Sequence, residues 1–435
     1  MTMRRTLRSA LLLLIGLPLT AHAVTFEVPV QGSRELTLAI PEPQVASGTI
    51  SAAERIMWET LRRDLDLTGY FDILNPAAHI ERGKGVEPGS FEFADWKMIR
   101  AAALAKTRVL PASDPSCDPE GRRMCLDVYV YDVSGGEKLA GRRLRATAED
   151  ARSLGHAAAT VVLRALVGEE GFFGSHIAAV GTHQGAKEIY VLGIDGTSAS
   201  PVTKNNSINL SPAWSPDGAS IAWTSYKRGN PDLYIKDLRS GNVRTLSQRE
   251  GVNISASFSP DGTKVALARS DGPDTDIWLL DAATGREVRQ LTSGGGIDVS
   301  PCFTPDGQHV VFASERSGGS SIYKVPVAGG TPVRVTPFEG FFTDPVVSPD
   351  GTKVAFVSRG GRFDVLTVKL DGTGMMRITQ DAGDNEDPSW SPDSRYLLFT
   401  STRDGSRKIW MSTANGRHQV PVTSSGGWSQ PVWQP

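Results

Sequence analysis

The sequence predicts a small α/β domain followed by an all-β six-bladed propeller closed by the C-terminal strand. Three observations carry this reading: a Ser/Thr-Pro-Asp kernel recurring at fixed spacing, four strand-like runs within each period, and two incomplete end repeats that complete one another. The kernels read WSPDGASIAW, FSPDGTKVAL, FTPDGQHVVF, VSPDGTKVAF and WSPDSRYLLF, with turn prolines Pro216, Pro260, Pro305, Pro349 and Pro392. Their steps are 44, 45, 44 and 43 residues. A constant period of that size marks units that stack or ring, because one such unit cannot bury its apolar faces alone.

Within a repeat, Pro-Asp-Gly is turn chemistry: proline presets φ, aspartate caps the local backbone, and glycine accepts positive φ. Short runs flank it, such as IAW from Ile221 and VVF from Val310 after the turn, then LYI at Leu233 or IWL at Ile277, then VRTLS at Val243 or VRQLT at Val288. Four short strands joined by Gly, Asn and Asp turns make one antiparallel blade. Residues 177–203 match the last three strands of a repeat, and SQPVW near the C-terminus matches only the first. Joined, they give a sixth blade, and closure of that kind removes the free edges of an open sheet.

The front of the chain has another texture. Arg4, Arg5 and Arg8 precede an apolar run over 10–17 and an Ala21-His22-Ala23 cleavage site, so residues 1–23 read as a secretory signal. The run is too short to span a bilayer, and no cysteine near the cleavage point invites a lipid. The mature chain is expected to begin at Val24, outside the cytoplasm, with no transmembrane segment and as a monomer. Residues 24–34 read as a flexible segment and 35–170 as the α/β domain. That domain is predicted to hold a strand over 36–43, a helix from Ser51 with Ile56, Leu61 and Leu65 at helical spacing, and a strand over 70–74. A second helix is expected over 93–105, strands near 107–110, 126–133 and 139–146, and a third helix capped by Thr147 or Asp150. A glycine-rich hinge at 168–174 leads into the propeller, 171–435.

With 46 Lys and Arg against 48 Asp and Glu, the chain shows no nucleic-acid footprint. Cys117 and Cys125 are candidates for a disulfide in an oxidising compartment. Cys302 occupies the slot of Ala213 and Ser257 and reads as a packed residue. Related repeats occur in serine peptidases with an α/β-hydrolase domain, but this sequence has no G-x-S-x-G elbow, no H-E-x-x-H pair and no P-loop or dinucleotide fingerprint. No cofactor is expected, and Asp271, Asp274 and Asp276 read as a solvated turn because the other positions of a calcium loop are missing. The chain is therefore read as a non-enzymatic binding protein. The alternative is a secreted propeller enzyme, a lyase or glycan-acting protein, with its site in the central channel.

The loops entering first strands vary while the frame repeats, and they carry apolar residues a solvated loop does not need: Ile208, Leu210, Ile254, Phe341, Phe342 and Trp428. Such a face suits a protein partner. An arginine recurs after each second strand (Arg228, Arg269, Arg316, Arg359 and Arg403) and is expected to pair with turn aspartates of a neighbouring blade.

The order of these parts, with LRRDLDLTGYFDIL at 61–74 and a propeller of SPDG repeats ending in P-x-W, resembles the TolB family over essentially the whole mature chain. The resemblance implies a periplasmic component of the Tol-Pal system, which supports outer-membrane integrity and envelope constriction at cell division. It implies two partners, the peptidoglycan-associated lipoprotein Pal on the propeller face and the C-terminal domain of TolA on the mature N-terminal segment. Carried onto this chain, the Pal-facing positions are Asn209, Leu210, Asn253, Ser255, Asp298, Val299, Thr343, Asp344, Glu386 and Asp387, and the loop reading adds Phe342. The TolA-binding segment is Val24, Thr25, Phe26, Glu27, Val28 and Pro29, within 24–33. Enterobacterial members often carry histidine where Val252 stands and proline where Ala256 stands.

Overall fold

The computed structural model describes residues 35–81, 85–118, 120–270, 272–294, 296–380 and 382–435. The expected signal peptide and the segment Val24 to Pro29 lie outside the described residues.

The α/β domain is one mixed sheet with two long helices packed on one face and a short third helix on the other. Its elements are β1 (Leu36–Ala39), β2 (Gln44–Val45), α1 (Ala52–Leu67), β3 (Phe71–Ile73), α2 (Phe93–Met98), β4 (Ala103–Leu110), β5 (Met124–Asp132), β6 (Glu137–Ala146) and α3 (Ala151–Val167). The strand order is β3-β1-β4-β5-β6, with β2 beside β4. β1 runs parallel to β3 and β4, and β4, β5 and β6 form an antiparallel meander. Ser51 starts α1 through a capping box with Glu54, which satisfies two otherwise orphaned amide donors. Met57, Trp58, Leu61 and Leu65 face the core with Ala158, Val162 and Leu166 of α3; Ile56, expected in that stripe, is exposed.

Two expectations fail here for local reasons. The helix read over 93–105 ends at Met98, because Arg100 turns left-handed at φ +60 and the chain enters β4. Ala103, Leu104 and Ala105 are fully buried there between β1 and β5, so tertiary packing overrides the helix propensity of an alanine run. Neither Thr147 nor Asp150 caps α3 by a side-chain bond to its backbone; they bond each other at 2.8 Å across a 3-10 turn that precedes it.

Among the described residues, six four-stranded antiparallel sheets follow. Blade 1 spans Asn209–Trp214 to Val243–Ser247, blade 2 begins at Asn253–Phe258, blade 3 at Asp298–Phe303, blade 4 at Phe342–Val347 and blade 5 at Asn385–Trp390. In blade 6 the closing strand Trp428–Trp433 pairs with His176–His183, Trp433 opposite Ile177. Each kernel forms the turn between first and second strands. Ser215, Ser259, Thr304, Ser348 and Ser391 donate to the aspartate two residues on, at 2.5–2.6 Å. That aspartate accepts the amide two residues further along. The next residue is left-handed, Gly218, Gly262, Gly307 and Gly351 at φ +66 to +71 and Ser394 at +62 in blade 5. The kernel tryptophans also staple blades together, Trp214 Nε1 to Val432 O and Trp390 Nε1 to Val346 O, both 3.1 Å.

These turns define one end of the propeller, and the loops that enter the first strands define the other. The α/β domain sits on the turn end, against blades 5 and 6. Leu67 and Phe172 join Tyr396, Leu398, Ile409 and Trp433 in one apolar cluster. Around it, the Tyr396 hydroxyl donates to Thr68 O at 3.2 Å and Arg152 pairs with Asp195 at 2.6 Å. Arg63 donates to Pro421 O, and Arg395 pairs with Glu169. A joint of buried apolar area with polar bonds at its rim is specific in orientation as well as stable.

Candidate protein-binding face

Each first strand breaks its register midway, as between Leu210 and Ala213 or Thr343 and Val346. The residue at the break is left-handed in all six blades: Ser211, Ser255, Ser300, Asp344, Asp387 and Gln430, at φ +50 to +58. A proline follows in five of them and Ala256 in blade 2. Non-glycine residues in this conformation cost roughly 1–3 kcal/mol each and persist only where surroundings hold them. Here the six side chains line a central cavity of about 310 Å³. Ser300 Oγ donates to Asp344 at 2.9 Å, Gln430 N and Thr400 Oγ1 donate to Asp387, and Ser211 N donates to Gln430 Oε1.

Burial and the neighbouring Asp344 push the Asp387 carboxyl up to about 7, the expected response of a poorly solvated acid beside a like charge. Among the described residues the lining carries no histidine, lysine or arginine. Cys302 lines it too, but burial pushes its thiol up to about 11, so it is a weak nucleophile. No group of three or more potential metal ligands gathers among the described residues.

The sequence-predicted positions divide by depth. Asn209, Asn253, Asp298 and Phe342 are buried. Asn209 donates to Lys187 O, Glu188 and Asn205 and accepts from Trp223 Nε1, while Asn253 donates to Arg249 O at 2.7 Å. Asp298 pairs with Arg316 at 2.7 Å, and Phe342 packs on Phe356. These four side chains hold the loops from inside and offer no contact surface. Leu210, Ser255, Val299, Thr343, Asp344, Glu386 and Asp387 are partly exposed around the channel mouth. The exposed apolar residues lie one position earlier than Asn209, Asp298 and Phe342: Ile208, Ile297 and Phe341, 43–50% exposed, with Phe338 beside them. Strand alternation explains the miss, since a one-residue offset exchanges buried for exposed. Two adjacent phenylalanines gave no sequence signal for which points inward.

The recurring arginines also act otherwise than expected. Among the described residues they reach partners of their own blade: Arg316 bonds Asp298 and lies over Phe312 and Tyr323, Arg403 bonds Asn385 and lies over Trp410, and Arg269 lies over Trp278 at 3.6 Å. Guanidinium on an aromatic face is a structural cation–π contact that repeats with the fold. In the α/β domain a disulfide joins Cys117 and Cys125, Cα atoms 5.5 Å apart.

Residues 24–139 match the TolB amino-terminal domain family and residues 163–435 the TolB β-propeller domain family. A "Tol-Pal system protein TolB" of Geobacter sulfurreducens is 35% identical over 215 residues, 49% of this chain and 48% of its own. One from Anaeromyxobacter dehalogenans is 36% identical over 230 residues, 52% of this chain and 51% of its own. The chain thus spans about half the length of the curated relatives it matches. The crystal structure of TolB from Acinetobacter baumannii superposes with a TM-score of 0.78 over 93% of this chain and 98% of that one, at 24% identity, which speaks to the fold. Two matched domains in the same order, on a six-bladed frame with a small α/β domain before it, place this chain in the TolB family.

Proposed function

We propose that this chain is a non-enzymatic periplasmic scaffold of the Tol-Pal system. It binds Pal through the channel-mouth face and the C-terminal domain of TolA through residues 24–33, and so supports outer-membrane integrity and constriction during division. The observation that carries the Pal half is the apolar arc on that face. Four successive blades place an apolar residue just before the first strand, Ile208, Val252, Ile297 and Phe341, where blades 5 and 6 have Asp384 and Gly427. Exposed apolar side chains grouped at one rim around a partly polar centre fit a protein partner better than a small substrate. The TolA half rests on family membership. An N-terminal segment tethered to the propeller acts at high effective concentration, so the two partners can influence one another through linked equilibria.

Calorimetric titration of the chain from Val24 with the soluble domain of Pal from the same organism tests this. Binding by wild type and loss of binding in a folded Ile297→Ser, Phe341→Ser variant is the expected result. Deleting 24–33 should abolish TolA binding while Pal still binds. No Pal binding by folded wild type, or full binding by the double variant, overturns the assignment of the face.

A further inference from the structure

At the domain joint, His418 stands in the turn between the third and fourth strands of blade 5 and reaches the end of α1. Its Nε2 lies 2.9 Å from Asp66 O and its Nδ1 lies 3.9 Å from a carboxylate oxygen of Glu35. The ring fits closely: a Cβ on Gly69, which has φ +69, would come within 2.8 Å of it. A carbonyl oxygen only accepts, so Nε2 carries the hydrogen in both charge states. That fixes the chemistry of the other nitrogen. In neutral imidazole Nδ1 presents a lone pair towards the Glu35 carboxylate, and in imidazolium it presents an N–H.

We propose that His418 is a proton-operated latch that fastens Glu35, the residue at which segment 24–34 enters β1, to the propeller. The charged groups facing it among the described residues come from three elements. Glu35 faces it from the start of β1, and Asp66 faces it from α1 with its carboxylate engaged by Arg63 at 3.5 Å; Arg417 precedes it on its own turn. The Asp66 carbonyl belongs to the C-terminal end of α1, the negative end of the helix dipole. Protonation thus changes one contact, from lone pair against carboxylate to a charge-assisted pair, and leaves the bond to Asp66 O in place. The latch is closed with the ring charged and open with the ring neutral, so lower pH closes it and higher pH opens it. If segment 24–33 binds TolA as proposed above, its root is then held at lower pH and released at higher pH; that consequence rests on the proposed role of the segment, whereas the latch does not.

The test is hydrogen exchange of the Leu36 amide, which donates to Tyr70 O at 2.9 Å, in the full mature chain. After correction for intrinsic rates and against β5 amides as internal reference, protection should be about 2–5-fold higher at pH 5.5 than at pH 7.5, the range of a half-exposed ion pair. Glu35→Gln and His418→Gln should each remove the difference; glutamine at 418 keeps a donor for Asp66 O, and Glu35 is half-exposed, so both variants are expected to fold. No pH dependence in wild type, or the same dependence in both variants, overturns the latch. TolA-domain titration at the two pH values reads the consequence separately: unchanged affinity alongside pH-dependent protection would refute only the role of the segment.

Discussion

At the turn end of the propeller, five blades repeat the same hydrogen bonds atom for atom, while at the mouth end six equivalent positions hold three serines, two aspartates and a glutamine. The contrast extends to charge. The turn aspartates Asp217, Asp261 and Asp306 are held low by their local donors, Asp261 down to about 2, chiefly by the Ser259 hydroxyl. At the mouth, burial raises Asp387. The turn end is therefore a frame in which each polar group is matched locally, and on blades 5 and 6 it also carries the α/β domain. Strain, an acid with no basic residue beside it among the described cavity-lining residues, and exposed apolar side chains gather at the mouth.

The largest effects should come from residues that hold the frame together. Trp433 ends the closing strand, packs on Phe172 with ring centroids 5.2 Å apart, and donates to Ser175. Trp433→Ala should cost about 3–5 kcal/mol in denaturant unfolding and loosen blade closure and domain joint together. Phe342→Ala, which empties a buried site between blades 3 and 4, should cost a similar amount. A loss below ~1 kcal/mol for Trp433→Ala would mean that the ring does not depend on the closing strand.

The next effect separates the two ends by pH. Folded Asp387 takes up its proton at about pH 7, whereas an unfolded aspartate does so near ~4. Between those values the folded state binds more protons, so this group's stability contribution is complete below about pH 4 and is lost as pH rises through about 7. Asp387→Asn should remove a decline on the order of 4 kcal/mol between pH 4 and 8, about three pH units at about 1.4 kcal/mol each, and leave the variant more stable than wild type at pH 8. The low-lying turn aspartates act in the opposite direction and in another window, losing their contribution only as pH falls below about 4. Equal pH slopes for wild type and variant would show that the Asp387 carboxyl is not raised in the folded protein.

A smaller effect is confined to the α/β domain. Replacing Cys117 and Cys125 with serine frees a loop of 8 residues' separation and should cost about 2–3 kcal/mol by loop entropy. The loss should fall on the α/β domain, read from differential hydrogen exchange in the sheet of β4, β5 and β6, with blades 2 and 3 unaffected. Loss of protection in those blades as well would make the two domains one cooperative unit.

How legible these features were in the sequence follows the same division. The blades, their count and the closing strand could be read because a period near 44 residues repeats turn chemistry whose physical cause is local. The helix expected over 93–105 fails where β4 opens with Ala103-Leu104-Ala105, whose strand state is imposed by burial between two neighbours, which no local propensity records. The ring of left-handed residues is hidden in sequence because four of the six sit in Ser-Pro or Asp-Pro dipeptides that also occur in ordinary turns, and the other two, Ser255-Ala256 and Gln430-Pro431, each depart from that pattern. The resemblance carries Asn209 and Asn253 over as contact residues, and nothing in the sequence marks their depth, since an Asn at a loop end reads alike whether it faces solvent or bonds the loop from within.

The smallest stability effect carries the sharpest statement about the mouth. Phe341 and Phe342 are neighbours in sequence, yet one is 50% and the other 3% exposed. Phe341→Ser removes a ring that already faces solvent, so unfolding free energy should change by no more than ~0.5 kcal/mol. The same substitution should weaken Pal binding at least tenfold if that ring anchors the partner, because interface energy concentrates in a few desolvated aromatics. Calorimetry and denaturation on one preparation decide it. Stability lost without binding would place Phe341 with the frame, and neither lost would move the anchor elsewhere on the arc, to Ile208 or Ile297.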